Sequence, residues 1–214
     1  MTERIINEIK TKYNLVPQDP GEYSKLKAKG MKFDINAYKA EGLGWVSVMK
    51  AKGFFGLMKM DTVIVVPEDT DLPLYSYDRI NAMGNDTLIV ELYDTMLGDL
   101  PFDSLESVKS RYADVPERDP GIHWYDSIKL ESSISKKGKK ISDRLDSLAL
   151  EHLAAYLALP SDPVADKEAK RLKSKVYVEG LLENGGPSTD VFKSEIGEER
   201  TAYLFRNVLF GTGK

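Results

Sequence analysis

The sequence predicts an α+β fold, one antiparallel sheet packed against helices within a single domain spanning residues 1–214. Three observations predict it. Period-two and β-branched runs fill residues 31–93 and are joined by short turns with no helix between them, and strands linked this way pair antiparallel. Helical periodicity then dominates residues 142–209. A chain of 214 residues with 42% hydrophobic and 30% charged residues also has the composition of a globule with a full core.

The elements follow in order. Ile5, Ile6, Ile9 and Tyr13 recur at helical spacing with charges between them, a short amphipathic helix. Met31, Phe33, Ile35 and Ala37 alternate with Lys32, Asp34 and Asn36 as a half-buried strand does, until Tyr38 breaks the pattern. Gly42-Leu43-Gly44 ends that strand; Trp45, Val46 and Val48 open the next. Val63–Val66 is a compact β-branched run, and residues 67–71 form a turn cluster. Leu74–Ile80 is a further strand, joined through the hairpin signal Met83-Gly84-Asn85-Asp86 to Thr87–Tyr93.

Leu105–Tyr112 reads as a short helix and residues 114–123 as loop. Trp124–Ile134 is expected to supply one more strand. From Ser142 a strong helix carries Leu145, Leu148, Leu153 and Tyr156 on one face until Pro160 stops it. Lys167–Leu182 is the next helix, broken by Asn184-Gly-Gly-Pro187. A last helix runs from the Ser188-Thr189-Asp190 cap to about Leu209.

Composition excludes several chemistries. With no cysteine there are no disulfides, thiolate metal sites, iron–sulfur ligands or cysteine nucleophiles. Two histidines, His123 and His152, cannot build an all-histidine zinc site, and no metal site is expected. The net charge of −4 opposes whole-chain attraction to nucleic acid or an anionic membrane. No stretch approaches 18 apolar residues and no signal peptide is visible, so no membrane span is expected and a cytoplasmic protein is the default reading. Neither a Walker loop, GxGxxG, GxSxG nor HExxH is present.

Asp78 stands out among the residues that remain. Leu74, Ser76 and Asp78 share one strand face; Tyr75, Tyr77 and Arg79 share the other. An acid on a covered strand is desolvated and becomes a proton donor; at a strand end, or paired with a base, it is merely structural. Lys136–Lys140 is a basic cluster that reads as a solvated hairpin tip or as a dock for an acidic protein. His123 reads as a proton shuttle or an ordinary loop residue, and His152 as a flank of a helix core face.

Several segments together resemble the ferredoxin-dependent bilin reductase family, which includes phycocyanobilin:ferredoxin oxidoreductase and is related to red chlorophyll catabolite reductase. Residues 67–80, PEDTDLPLYSYDRI, resemble the family's Pro-Glu turn leading into Leu-Pro-Leu-aromatic-x-x-Asp, with Asp78 on the family's aspartate. Residues 119–128, DPGIHWYDSI, resemble its Pro-Trp-containing approach to the last strand, and residues 196–210, IGEERTAYLFRNVLF, its closing helix.

The resemblance implies an α/β/α three-layer sandwich. It implies a linear tetrapyrrole such as biliverdin held between the sheet and the C-terminal helices. No bound cofactor is implied: electrons arrive singly from reduced ferredoxin or flavodoxin, and Asp78 protonates the radical intermediates, as in phycobilin biosynthesis. Lys136–Lys140, or the stretch Lys167, Lys170, Arg171, Lys173 and Lys175, would meet acidic ferredoxin or the bilin propionates. Asn184 falls where the family places polar site residues, although Gly185-Gly186-Pro187 departs from its pattern. Phe210 would line the pocket or simply fill the core. The phycocyanobilin-forming members carry a histidine where this chain offers Thr62 or Asp61, and a glutamate where it offers Asn36. These departures leave open a non-catalytic tetrapyrrole carrier or chromophore lyase as the alternative.

Overall fold

A computed structural model describes residues 1–186 and 188–213. In chain order it comprises α1 (Thr2–Lys10), β1 (Leu15–Gln18), β2 (Lys25–Ala28), β3 (Met31–Ala40), β4 (Gly44–Gly53) and β5 (Met58–Pro67). β6 (Leu74–Ala82), β7 (Asn85–Tyr93), α2 (Asp103–Arg111), β8 (Ile134–Gly138), α3 (Ser142–Leu157) and α4 (Lys167–Asn184) follow. The chain closes with α5 (Thr189–Ile196), α6 (Glu198–Tyr203) and a π-helical turn, Leu204–Leu209.

The strands form one antiparallel sheet in the order β1-β3-β4-β5-β6-β7-β8, with β2 also paired to β3. Alternation along each strand sends side chains to two cores. On one face Val46, Val63, Tyr75, Tyr77 and Leu88 pack with α1, α2 and α3. On the other Ile35, Met49, Ile64, Leu74 and Tyr93 pack with Tyr177 of α4 and Phe192, Phe205 and Phe210 beyond it. The three layers agree with the architecture implied by the resemblance.

Turn chemistry sets the register. Met83 and Gly84 both lie at positive φ, 51° and 75°, as a two-residue hairpin turn requires. The turn pairs Ala82 with Asn85 and, further along, Asp78 with Ile89. Gly44 begins β4 at φ 147°, where a Cβ would fall 2.2 Å from the Val66 carbonyl oxygen. Gly44→Ala is therefore expected to cost about 2–3 kcal/mol, visible as a lower urea midpoint.

Three expectations need correction. Trp124–Ile134 is not a strand: Trp124–Ile128 is a 3-10 turn whose start is tied by the Asp126 carboxylate accepting from the His123 backbone N–H at 2.8 Å. The strand begins only at Ile134 and leads into α3, so Lys136–Lys140 is a strand end and not a hairpin tip, although Lys137, Lys139 and Lys140 are exposed as expected. Lys136 is buried and donates to the Val115 carbonyl at 3.0 Å and to Glu117.

The closing helix is not continuous. Gly197, at φ 83°, divides α5 from α6, and the following turn widens to π geometry, with Phe210 N–H donating to the Phe205 carbonyl. At its end two carbonyls without an intrahelical donor accept from the sheet: Trp45 Nε1 donates to Val208 O at 2.9 Å and Ser47 Oγ to Leu209 O at 2.7 Å. Such π turns concentrate at functional sites. β1 and β2 escape the sequence reading because each has four residues, too few for a period to show.

Candidate functional site

Between the sheet and the C-terminal helices lies a half-open cavity of about 150 Å³. Its floor is the sheet: Thr62 and Ile64 of β5, Ser76 and Asp78 of β6, and Ile89, Glu91 and Tyr93 of β7. Tyr177 and Leu181 of α4 form one wall, and Phe205, Leu209 and Phe210 from the π turn form another. Arg118, His123 and Tyr125 come from the loop before β8.

Asp78 is in cross-strand register with Thr62, whose hydroxyl donates to Asp78 Oδ1 at 2.5 Å. Desolvation is the largest influence on its acidity. The Thr62 hydrogen bond opposes it, the nearby Glu91 charge adds to it, and the carboxyl is pushed up to about 6. The group touches solvent only partly, through the cavity. A carboxylic acid raised to about 6 that faces open space has the chemistry of a candidate proton donor.

Beside it, Glu91 accepts from the Tyr93 hydroxyl at 2.6 Å, and Lys129 Nζ lies 4.0 Å from its other oxygen. Burial, with Tyr177 and Glu91 adding to it, holds the Tyr93 phenol well above its usual range, so it stays a neutral donor. The aromatic rings form a connected wall. His123 stacks on Tyr125 at 4.8 Å, Tyr125 meets Tyr93 edge-on at 5.5 Å, and Tyr177 meets Phe210 at 6.0 Å. Arg118 also lines the cavity and is held by the Ser135 hydroxyl at 3.3 Å.

The structure brings Asp78, Thr62 and Phe210 together in this cavity. Asn36 lies elsewhere. On β3 it is exposed on the opposite sheet face, because its neighbours Ile35 and Ala37 take the inward positions. Asn184 is exposed too, its amide turned back to the Gly180 carbonyl at 3.2 Å; Gly186, Ser188 and Thr189 line the cavity in its place.

The basic stretch of α4 is largely engaged within the fold. Lys170 is fully buried, donating to Asp71 at 3.0 Å and to the Leu72 and Thr95 carbonyls at 2.6 and 2.8 Å. Lys167 pairs with Asp69 at 2.6 Å, and Lys173 donates to the Met96 carbonyl. His152 is buried against the Ser132 carbonyl at 3.0 Å on the far side of the sheet.

Glu91, Tyr93, Arg118, Tyr125 and Tyr177 are cavity residues not singled out from sequence. For Glu91 a signal existed: once Met83-Gly84 is taken as the two-residue turn, register and alternation put Ile89, Glu91 and Tyr93 on the Asp78 face.

No family model matches the sequence, and no curated protein matches it. A solved structure does. The chain is similar to phytochromobilin synthase from tomato, crystallised in complex with biliverdin. The TM-score is 0.76 at 15% identity, over 98% of this chain and 81% of that one. At that identity the likeness establishes a shared fold.

Proposed function

We propose that the chain binds a linear tetrapyrrole in this cavity and reduces it with single electrons from reduced ferredoxin or a flavodoxin, Asp78 supplying protons to the radical intermediates. The observation that carries this reading is Asp78 itself. It is a carboxylic acid titrating near neutral pH at the floor of an aromatic-walled cavity, in a fold shared with a protein solved with biliverdin bound.

The chemistry balances. Reducing one double bond consumes two electrons and two protons. An iron–sulfur donor supplies electrons alone, so the protons pass through the protein. Each added electron makes the conjugated pigment more basic, and a donor with pKa about 6 is matched to it near neutral pH. Thr62 fixes the carboxyl's orientation, and the Glu91 charge favours its protonated form. Flat rings on both walls suit stacking against a conjugated ligand, and Arg118 offers a cation to a propionate.

The test is anaerobic single turnover of biliverdin-loaded protein with reduced plant-type ferredoxin. The wild type is expected to convert the bound spectrum to that of a reduced bilin. Asp78→Asn is expected to bind pigment and either lose turnover by at least about 100-fold or accumulate an organic radical visible by electron paramagnetic resonance. Binding without any spectral change on electron supply would favour the carrier or lyase instead.

A further inference from the structure

Cross-strand register places a row of like charges on the sheet. Lys27 of β2 pairs with Lys32 of β3, Lys32 with Lys52 of β4, and Lys52 with Lys59 of β5. All four lie on the face opposite the cavity and are exposed. At the spacing of neighbouring strands the row spans about 14 Å.

Like charges directly opposite one another destabilise a sheet, and the adjoining row on the same face avoids this. There Lys25, Asp34, Lys50, Asp61 and Arg79 alternate in sign across five strands. Nearby Lys29 and Lys50 each reach a glutamate, whereas among the described residues none of the four row lysines has a carboxylate partner. The row is therefore an exposed positive strip open to an anionic partner.

Immediately beyond the row, two hairpins end side by side, with Met83 N–H donating to the Leu57 carbonyl at 3.3 Å. Their tips carry Phe54, Phe55, Leu57 and Met83, all exposed, Phe55 completely and Met83 at 87%. Phe54, Phe55 and Met83 sit at φ 50°, 55° and 51°, a region costly for bulky residues that persists where the surroundings impose it. Lys52 lies two residues before Phe54, and Lys59 two residues after Leu57.

We infer that this end of the molecule docks on an anionic lipid surface, Phe54, Phe55, Leu57 and Met83 entering the headgroup–acyl boundary while the Lys27–Lys32–Lys52–Lys59 row meets the lipid phosphates and carboxylates. The dimensions fit: two residues of extended chain cover about 7 Å, and interfacial segments bury their apolar side chains about 5–10 Å deep. The apolar side chains protrude from turn tips instead of lining a groove, which suits a yielding medium better than a rigid protein face. The net charge of −4 does not oppose this attachment, because the row is local and charges beyond a Debye length are screened.

The test is flotation of the full chain with vesicles of phosphatidylcholine and phosphatidylserine at 7:3, against pure phosphatidylcholine, at low and at 500 mM salt. Binding is expected only to the serine-containing vesicles and is expected to weaken with salt. Lys52→Ser and Lys59→Ser are each expected to weaken it roughly 5-fold, and Phe55→Ser at least about 10-fold. These exposed substitutions are expected to leave the biliverdin titration unchanged and not to lower the thermal midpoint, the lysine variants relieving cross-strand repulsion, which separates this surface from the cavity. Absence of binding to the anionic vesicles, or binding indifferent to the substitutions, would overturn the inference. A salt-sensitive complex with an acidic protein such as ferredoxin, lost in the lysine variants while vesicles are ignored, would also overturn it.

Discussion

Asp78→Asn is expected to stabilise the protein at neutral pH while abolishing turnover. Its carboxyl rises from the usual 3.8 to about 6 in the fold. The unfolded chain therefore gives up this proton at lower pH than the folded one does. Between about pH 4 and 6 the folded state binds more protons, so stability falls as pH rises through that window. Burial to that degree corresponds to roughly 3 kcal/mol at pH 7, and cavity solvent trims it to about 2 kcal/mol. Asparagine keeps an oxygen for the Thr62 hydroxyl and carries no charge, so the variant is expected to melt about 4–8 °C higher at pH 7.

His152 runs the other way. Burial lowers its pKa from 6.5 to about 4. Its contribution is present above pH 6.5 and is lost as pH falls through 4. The two groups offset each other in the wild type between pH 4 and 6. In Asp78→Asn the histidine is unmasked, and stability is expected to rise with pH across that window. Urea unfolding of both proteins from pH 4 to 7.5 checks this: the difference between them should be near zero at pH 4 and fully developed by pH 7. A constant difference would remove Asp78 as the titrating group.

Lys170 carries the largest expected loss of stability. Its ammonium is enclosed by Asp71 and the Leu72 and Thr95 carbonyls, and it ties α4 to the segments flanking β6 and β7. Lys170→Met fits the space but strands one partly buried carboxylate and two carbonyls, at a cost of about 3–5 kcal/mol. Asp71 retains the Leu97 and Gly98 backbone N–H groups at 2.9 Å each, which favours the lower end. Denaturant unfolding of the variant measures this. A variant as stable as the wild type but weaker toward an electron donor would restore Lys170 as a docking residue.

The legible parts of the fold were those whose periods run long enough to count. β3 to β7 were readable because each carries nine or ten residues and tight turns separate them. Trp124–Ile134 misled because its β-rich composition reflects packing: Trp124 and Tyr125 lie against Tyr177 of α4. The break at Gly197, at φ 83°, had its local signal in the glycine itself, whereas the π turn, whose last carbonyls accept from Trp45 and Ser47 about 160 residues away, had none. At the site, Asp78 was legible from alternation and from the resemblance together. Asn36 was misplaced because an alignment position says nothing of which face a side chain takes, although the period of β3 already put it opposite Ile35. Lys170 looked like one of a run of surface charges, and only the tertiary structure shows it enclosed.

The central claim is that the cavity over Asp78 holds a linear tetrapyrrole, and an equilibrium absorbance titration with biliverdin tests it most directly. The wild type should shift the pigment spectrum and saturate at one pigment per chain. Ser76→Trp, which fills the cavity from the floor beside Asp78, should abolish the shift while leaving the protein folded. A wild type that leaves the biliverdin spectrum unchanged, or a shift that survives Ser76→Trp, would contradict the account.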